Sequence, residues 1–226
     1  ARRRGGRPDA LGPGPVPALP GRGAARAISL ALVNPNTSAE VTRTMVEIAR
    51  QTASGACAIE GHTAPFGVPL IVEPAALSRA GAAVVALAPA LEGVDAAVVA
   101  AFGDPGLDAL RARLDIPVTG IAEAGMAEAA QGGRRFAVAT TTPLLRDAIA
   151  ATAARYGHRR FAGTWTTPQD PAALHADAAT LKAALARAVE AAIRDGGAEA
   201  VVIGGGPLAR AARALAADTP VPLIEP

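Results

Sequence analysis

The 226-residue sequence predicts an α/β protein of two pseudo-symmetric lobes. Each lobe is expected to be a roughly four-stranded parallel sheet flanked by helices, with a site in the crevice between them. Three observations carry this expectation. Short β-branched runs alternate with Ala-rich helical patterns, the signature of parallel strands covered by helices. The stretch Val98-Val-Ala-Ala-Phe-Gly-Asp-Pro-Gly-Leu107 leads from a strand through a loop into a helix, and Val201-Val-Ile-Gly-Gly-Gly-Pro-Leu208 repeats that plan, Gly205 falling 104 residues after Ala101. Two further landmarks recur at similar spacing, 107 residues from Val33 to Thr140 and 103 from Pro117 to Pro220. Recurrence at a nearly constant period implies two like halves, and ligands in open parallel sheets bind beyond the carboxyl ends of the strands.

The first strand is read at residues 28–33, followed by Asn34-Pro-Asn-Thr-Ser38. Thr37 with Glu40 has the form of a capping box, and Val41, Met45 and Ile48 recur at helical spacing. Asn34, Asn36 and Thr37 therefore place small polar groups at a helix start, where a carboxylate or carbonyl oxygen is favoured; pure turn chemistry explains the same residues without a ligand. A weaker strand covers 56–62, and one or two helices cover 74–91. The third strand is 95–101, its helix 108–114, and the fourth strand 117–121, with Glu123 just beyond it as a binding or proton-relaying carboxylate or a helix-start acid.

The programme restarts at 135–140, where Thr140 and Thr141 end a strand, Thr142 is the expected N-cap and Pro143 the first helical residue. A sixth strand at 160–165, a polar loop at 166–173 and a long helix at 173–194 follow. Strands at 198–204 and 220–224 complete the second half. The expected organisation is thus a tail over 1–27, a first lobe over 28–132 and a second over 133–226, the second lacking the helix that follows its fourth strand in the first.

Charge is unevenly placed. The tail holds six Arg and one Asp, a net of +5 against +2 for the whole chain, so the remainder is mildly acidic at −3. With five Pro and six Gly and no apolar period, the tail reads as disordered or as an Arg-rich contact with acidic partners. The basic signal is confined there, so neither nucleic acid nor membrane is expected as a partner, and every apolar run is too short to span a bilayer. The single cysteine, Cys57, excludes an internal disulfide and any multi-cysteine metal site; it reads as a small buried residue within a strand. A cytoplasmic location fits this usage. His62, His158 and His175 fall outside the strand-end loops and read as surface histidines.

Taken together, Val33-Asn-Pro-Asn-Thr-Ser38, Phe102-Gly-Asp-Pro-Gly-Leu107, Pro117-Val-Thr-Gly-Ile-Ala-Glu-Ala124, Phe136-Ala-Val-Ala-Thr140 and Asp195-Gly-Gly-Ala198 resemble the aspartate/glutamate/hydantoin racemase superfamily, and most of all its hydantoin racemase branch. The resemblance implies racemisation without metal or other cofactor, between two lobes. One cysteine thiolate takes a proton from the carbon beside a carbonyl, and a second cysteine on the opposite face delivers one. The positions that match those cysteines are Ala101 and Gly205, neither able to carry a proton. The carboxylates Asp104, Glu123 and Glu225 remain as candidate bases, although Asp104 reads first as a turn-forming or N-cap residue and only second as a substrate contact or proton relay. Asn34, Asn36, Thr37, Phe102, Gly103, Thr140, Thr141 and Gly206 are the candidate contacts to a small carboxylate or cyclic amide. Two functions follow, a racemase-like enzyme with altered chemistry or a silent ligand-binding homologue. Homo-oligomerisation is left open.

Overall fold

Two parallel sheets with one common strand order account for the recurring landmarks. The computed structural model describes residues 27–225. In the first half the chain forms β1 (Ile28–Asn34), α1 (Ala39–Ala53), β2 (Cys57–Thr63), α2 (Pro74–Ala86), β3 (Ala96–Val99), α3 (Leu107–Arg111), β4 (Val118–Gly120) and α4 (Ile121–Ala129). The second half forms β5 (Phe136–Thr140), α5 (Arg146–Arg155), β6 (Phe161–Thr166), α6 (Pro171–His175), α7 (Ala178–Arg194), β7 (Ala200–Ile203), α8 (Ala209–Ala216) and β8 (Leu223–Ile224). The strand orders are β2-β1-β3-β4 and β6-β5-β7-β8, so the second sheet repeats the first. All pairings are parallel.

The strands alternate their side chains between two helical layers. Ala31, Val33, Ala97 and Val99 pack under Val84 of α2 and Leu107 and Leu110 of α3, while Leu32 and Ile59 turn the other way onto Met45 and Val46 of α1. In the second sheet Ala137, Ala139, Val201 and Ile203 lie under Leu181, Leu185 and Val189 of α7 and Ala212 of α8. Phe136, Val138, Ala200 and Val202 face the other layer, made by Ile149 of α5 and by Ala122, Met126 and Ala129 of α4. Helix α4 therefore follows the first sheet in sequence but covers the second, burying Met126 completely. The first sheet has an apolar groove of about 430 Å³ lined by Leu30, Leu32, Ile59 and Val98. Any helix after β8 would lie beyond Glu225, outside the described residues.

Several boundaries differ from the sequence reading for identifiable reasons. Ser38, not Thr37, caps α1: its Oγ accepts the Val41 N–H at 3.2 Å, while the Thr37 N–H donates to the Val68 carbonyl at 3.0 Å. The single helix expected over 173–194 is two, because Asp177 accepts the Ala179 N–H and starts α7 afresh, and Asp170 caps the short α6 before Pro171. Thr142 makes no capping bond; its hydroxyl pairs instead with that of Thr140. Cys57 opens β2 and is half-buried, rather than lying buried within the strand.

Candidate functional site

The four strand ends facing the crevice are tied together in the same way in both lobes. Beyond β3 the Ala100 N–H donates to the Val33 carbonyl at 2.8 Å; beyond β7 the Gly204 N–H donates to Ala139 at 2.8 Å. Beyond β2 the Ala64 N–H reaches Asn34, and beyond β6 the Thr167 N–H reaches Thr140. Ala100 thus corresponds to Gly204, and the next residues, Ala101 and Gly205, occupy equivalent places. Both line one cavity of about 70 Å³ between the lobes. Phe102, Ile71, Leu145 and Ile149 supply apolar wall, and Asn36, Thr141 and Thr142 supply polar edges.

The lobes meet closely here because Gly204 has no side chain. A Cβ at that position would lie 2.8 Å from Val138 Cγ1 in its own sheet and 3.2 Å from the Phe102 ring of the first lobe, so a side chain would displace Val138 and press on Phe102. Within the second lobe the Thr140 hydroxyl donates to the Gly204 carbonyl at 2.7 Å and ties the end of β5 to the end of β7.

Asn34 is fully buried and builds the loop rather than facing a ligand. Its amide nitrogen donates to Asn36 Oδ1, the Ser38 carbonyl and Thr42 Oγ1, and its oxygen accepts the Asn36 N–H. Those bonds, with the Ser38 N–H on Asn36 Oδ1 at 2.9 Å, fix the orientation of the Asn36 side chain. The Asn36 amide nitrogen makes no hydrogen bond among the described residues and is left on the cleft as a donor. Of the candidate contacts, Asn36, Phe102, Thr141 and Gly206 are brought onto the lining with Ala101 and Gly205; Asn34, Thr37, Gly103 and Thr140 stand behind it.

The structure places none of the three carboxylates on the cleft. Asp104, 1% exposed, turns away from it and accepts the N–H groups of Ala122 (2.9 Å) and Glu123 (2.7 Å) at the start of α4, together with the Tyr156 hydroxyl (2.6 Å). Burial raises its pKa, and the bonds from Tyr156 and the two N–H groups only partly offset that. Glu123 is pushed up by burial, but the bonds from Arg111 and Thr119 outweigh this and leave its pKa below the ordinary carboxylate value. Glu225 is paired with Arg213 and lines the groove on the first sheet. Among the described residues no cluster of His, Cys, Asp and Glu is arranged to hold a metal ion, and no helix is long and apolar enough to cross a membrane.

The sequence reading missed His175. It ends α6, is half-buried rather than a surface residue, and lines the cleft. The signal was present: the Asp170-Pro171 and Asp177 caps bracket a separate short helix directly after β6, which carries its last residue back toward the strand ends.

A sequence profile of the Asp/Glu/Hydantoin racemase family matches residues 30–226, nearly all of the chain beyond the tail. The chain belongs to this family. A hydantoin racemase of Rhizobium meliloti is 31% identical over 198 residues, covering 86% of this chain and 82% of that one. The crystal structure of an allantoin racemase from Pseudomonas fluorescens aligns with a TM-score of 0.83 at 29% identity, over 87% of this chain and 85% of that one. An allantoin racemase from Klebsiella pneumoniae aligns at 0.80 with 31% identity, over 88% and 82%. Within the family the chain lies with the hydantoin racemase branch, as the strand-end motifs indicated. The paired α/β lobes are those of its racemase neighbours.

Proposed function

We propose that the interlobe cleft binds a small cyclic amide or carboxylate with an acidic C–H beside its carbonyl, without metal or other cofactor, and that this chain does not racemise it through two thiols. The observation that carries the proposal is the placement of Ala101 and Gly205 at equivalent strand ends on one small cavity. Its walls are apolar, and the free amide of Asn36 and the hydroxyl of Thr141 are placed to hold carbonyl oxygens. The ligand class follows from the relatives, which are hydantoin and allantoin racemases. With methyl and hydrogen where the resemblance implies thiols, nothing at those two positions can move a proton.

Isothermal calorimetry with 5-methylhydantoin, allantoin and small dicarboxylates tests the ligand class, and binding also raises Tm by mass action. Thr141→Val is expected to weaken the ligand found by roughly 5–10-fold, the worth of about one hydrogen bond. Thr140→Val, which breaks the buried bond to Gly204, is expected to lower stability by about 1–2 kcal/mol, read as a lower Tm of the free protein. Unchanged affinity in Thr141→Val places the ligand elsewhere.

A further inference from the structure

Among the side chains that line the cleft, His175 alone changes protonation between about pH 4 and 10. The remaining lining is apolar, glycine, or the neutral hydrogen-bonding groups of Asn36, Thr141 and Thr142. His175 comes from the second lobe, the lobe that carries Gly205, and its Nε2 lies 3.5 Å from Thr141 Oγ1, at the long limit of a hydrogen bond. Burial lowers the pKa of the ring and no charged neighbour contributes to the shift, so at neutral pH the imidazole is uncharged and one ring nitrogen keeps its lone pair. The first-lobe wall opposite, at Ala101, Phe102 and Asn36, holds no group that can exchange a proton in this range.

We propose that His175 is the proton-transfer group of this cleft, a single base that removes and returns the proton beside the substrate carbonyl on one face only. The proposal rests on the ligand reading given above. The lone pair of the imidazole takes the proton, and the C–H electron pair moves into the carbonyl to leave an enolate. The enolate pair then re-forms the C–H bond with a proton from the imidazolium. In deuterium oxide the imidazolium exchanges its proton with solvent, so the returning atom is deuterium. With no acid on the Ala101 wall, the activity is exchange with retention of configuration.

Each enantiomer of 5-methylhydantoin, incubated with the protein in deuterium oxide, reads this out through proton NMR and chiral chromatography, with the protein-free rate subtracted. The expected result is deuterium entering one enantiomer with no gain of the other, at a rate that rises with pH as His175 loses its proton and is level above about pH 7. His175→Gln is expected to slow exchange by ~10²–10⁴-fold, with calorimetric affinity for the hydantoin retained. Ala101→Cys, which leaves His175 in place, is expected to turn retention into racemisation by supplying an acid on the opposite wall. Exchange at the wild-type rate in folded His175→Gln, or no exchange by wild-type protein saturated with bound hydantoin, overturns the role of His175 and leaves the ligand reading standing. Absence of calorimetric binding by any hydantoin or carboxylate overturns both.

Discussion

Replacing Ala101 and Gly205 together by cysteine should create racemisation where the native chain has none. Each general acid or base contributes typically ~10²–10⁴-fold, so a thiol on each wall should raise inversion of a bound hydantoin by at least the lower figure. The positions are ready for it. They are equivalent strand ends on one cavity, and Gly205 needs two adjustments: a Cβ there would sit 3.1 Å from Leu208 Cδ1, the end of a flexible side chain, and its φ of +159° must relax slightly into extended backbone to take a side chain. Polarimetry of each 5-methylhydantoin enantiomer follows the gain. A native chain that inverts its ligand as fast as the double variant contradicts the claim that the missing thiols matter.

Asp104→Ala should be the most damaging single change to stability outside the hydrophobic core. The carboxylate is buried and takes two N–H groups from the start of α4 and the Tyr156 hydroxyl, so removing it strands three donors and unties the first lobe from α4 and α5. Leaving buried donors unpaired costs about 1–3 kcal/mol each, partly relieved by water, so a net loss of about 3 kcal/mol is expected. For a chain of this size that lowers Tm by roughly 6–12 °C. Asp104→Asn should cost less and show a pH signature. The raised pKa of Asp104 means that its titration contributes stability below the unfolded value of about 3.9 and loses it as pH rises through the folded value. The gap in Tm between wild type and Asp104→Asn should therefore be wider near pH 3 than at pH 7. A gap that widens with rising pH would show the carboxylate to be stabilised in its charged form.

Most of the fold was legible because it was written twice. Strand, turn and helix recur at matched spacing, and parallel strands buried on both faces leave unmistakable Val/Ala/Ile runs, as at Val201-Val-Ile and Phe136-Ala-Val-Ala. The ends of elements were less legible, since they depend on which of several adjacent polar residues captures a free N–H. Thr37 and Ser38 both precede α1, and only the bond from Thr37 N–H to Val68, 31 residues away, leaves the cap to Ser38. The carboxylates misled for a related reason. Asp104 and Glu123 stand next to cleft loops in sequence, yet a side chain in a tight turn with φ of +51° points Asp104 back into the protein, and Arg111 draws Glu123 to the surface of the sheet edge. Conversely the Asp170-Pro171 and Asp177 caps mark off α6 as a separate short helix, but that its packing carries His175, 30 residues before Gly205 in sequence, into the cleft is a tertiary fact the caps alone do not express.

The function proposed for this cleft requires that Ala101 and Gly205 flank one ligand. A crystal structure of the protein with bound 5-methylhydantoin tests it most directly. The ring is expected between the two strand ends, in van der Waals contact with Ala101 Cβ and Gly205 Cα and with its carbonyls near Asn36 and Thr141. A ligand seated elsewhere, or Cα atoms of Ala101 and Gly205 more than ~15 Å apart, beyond the reach of any small substrate, would contradict it.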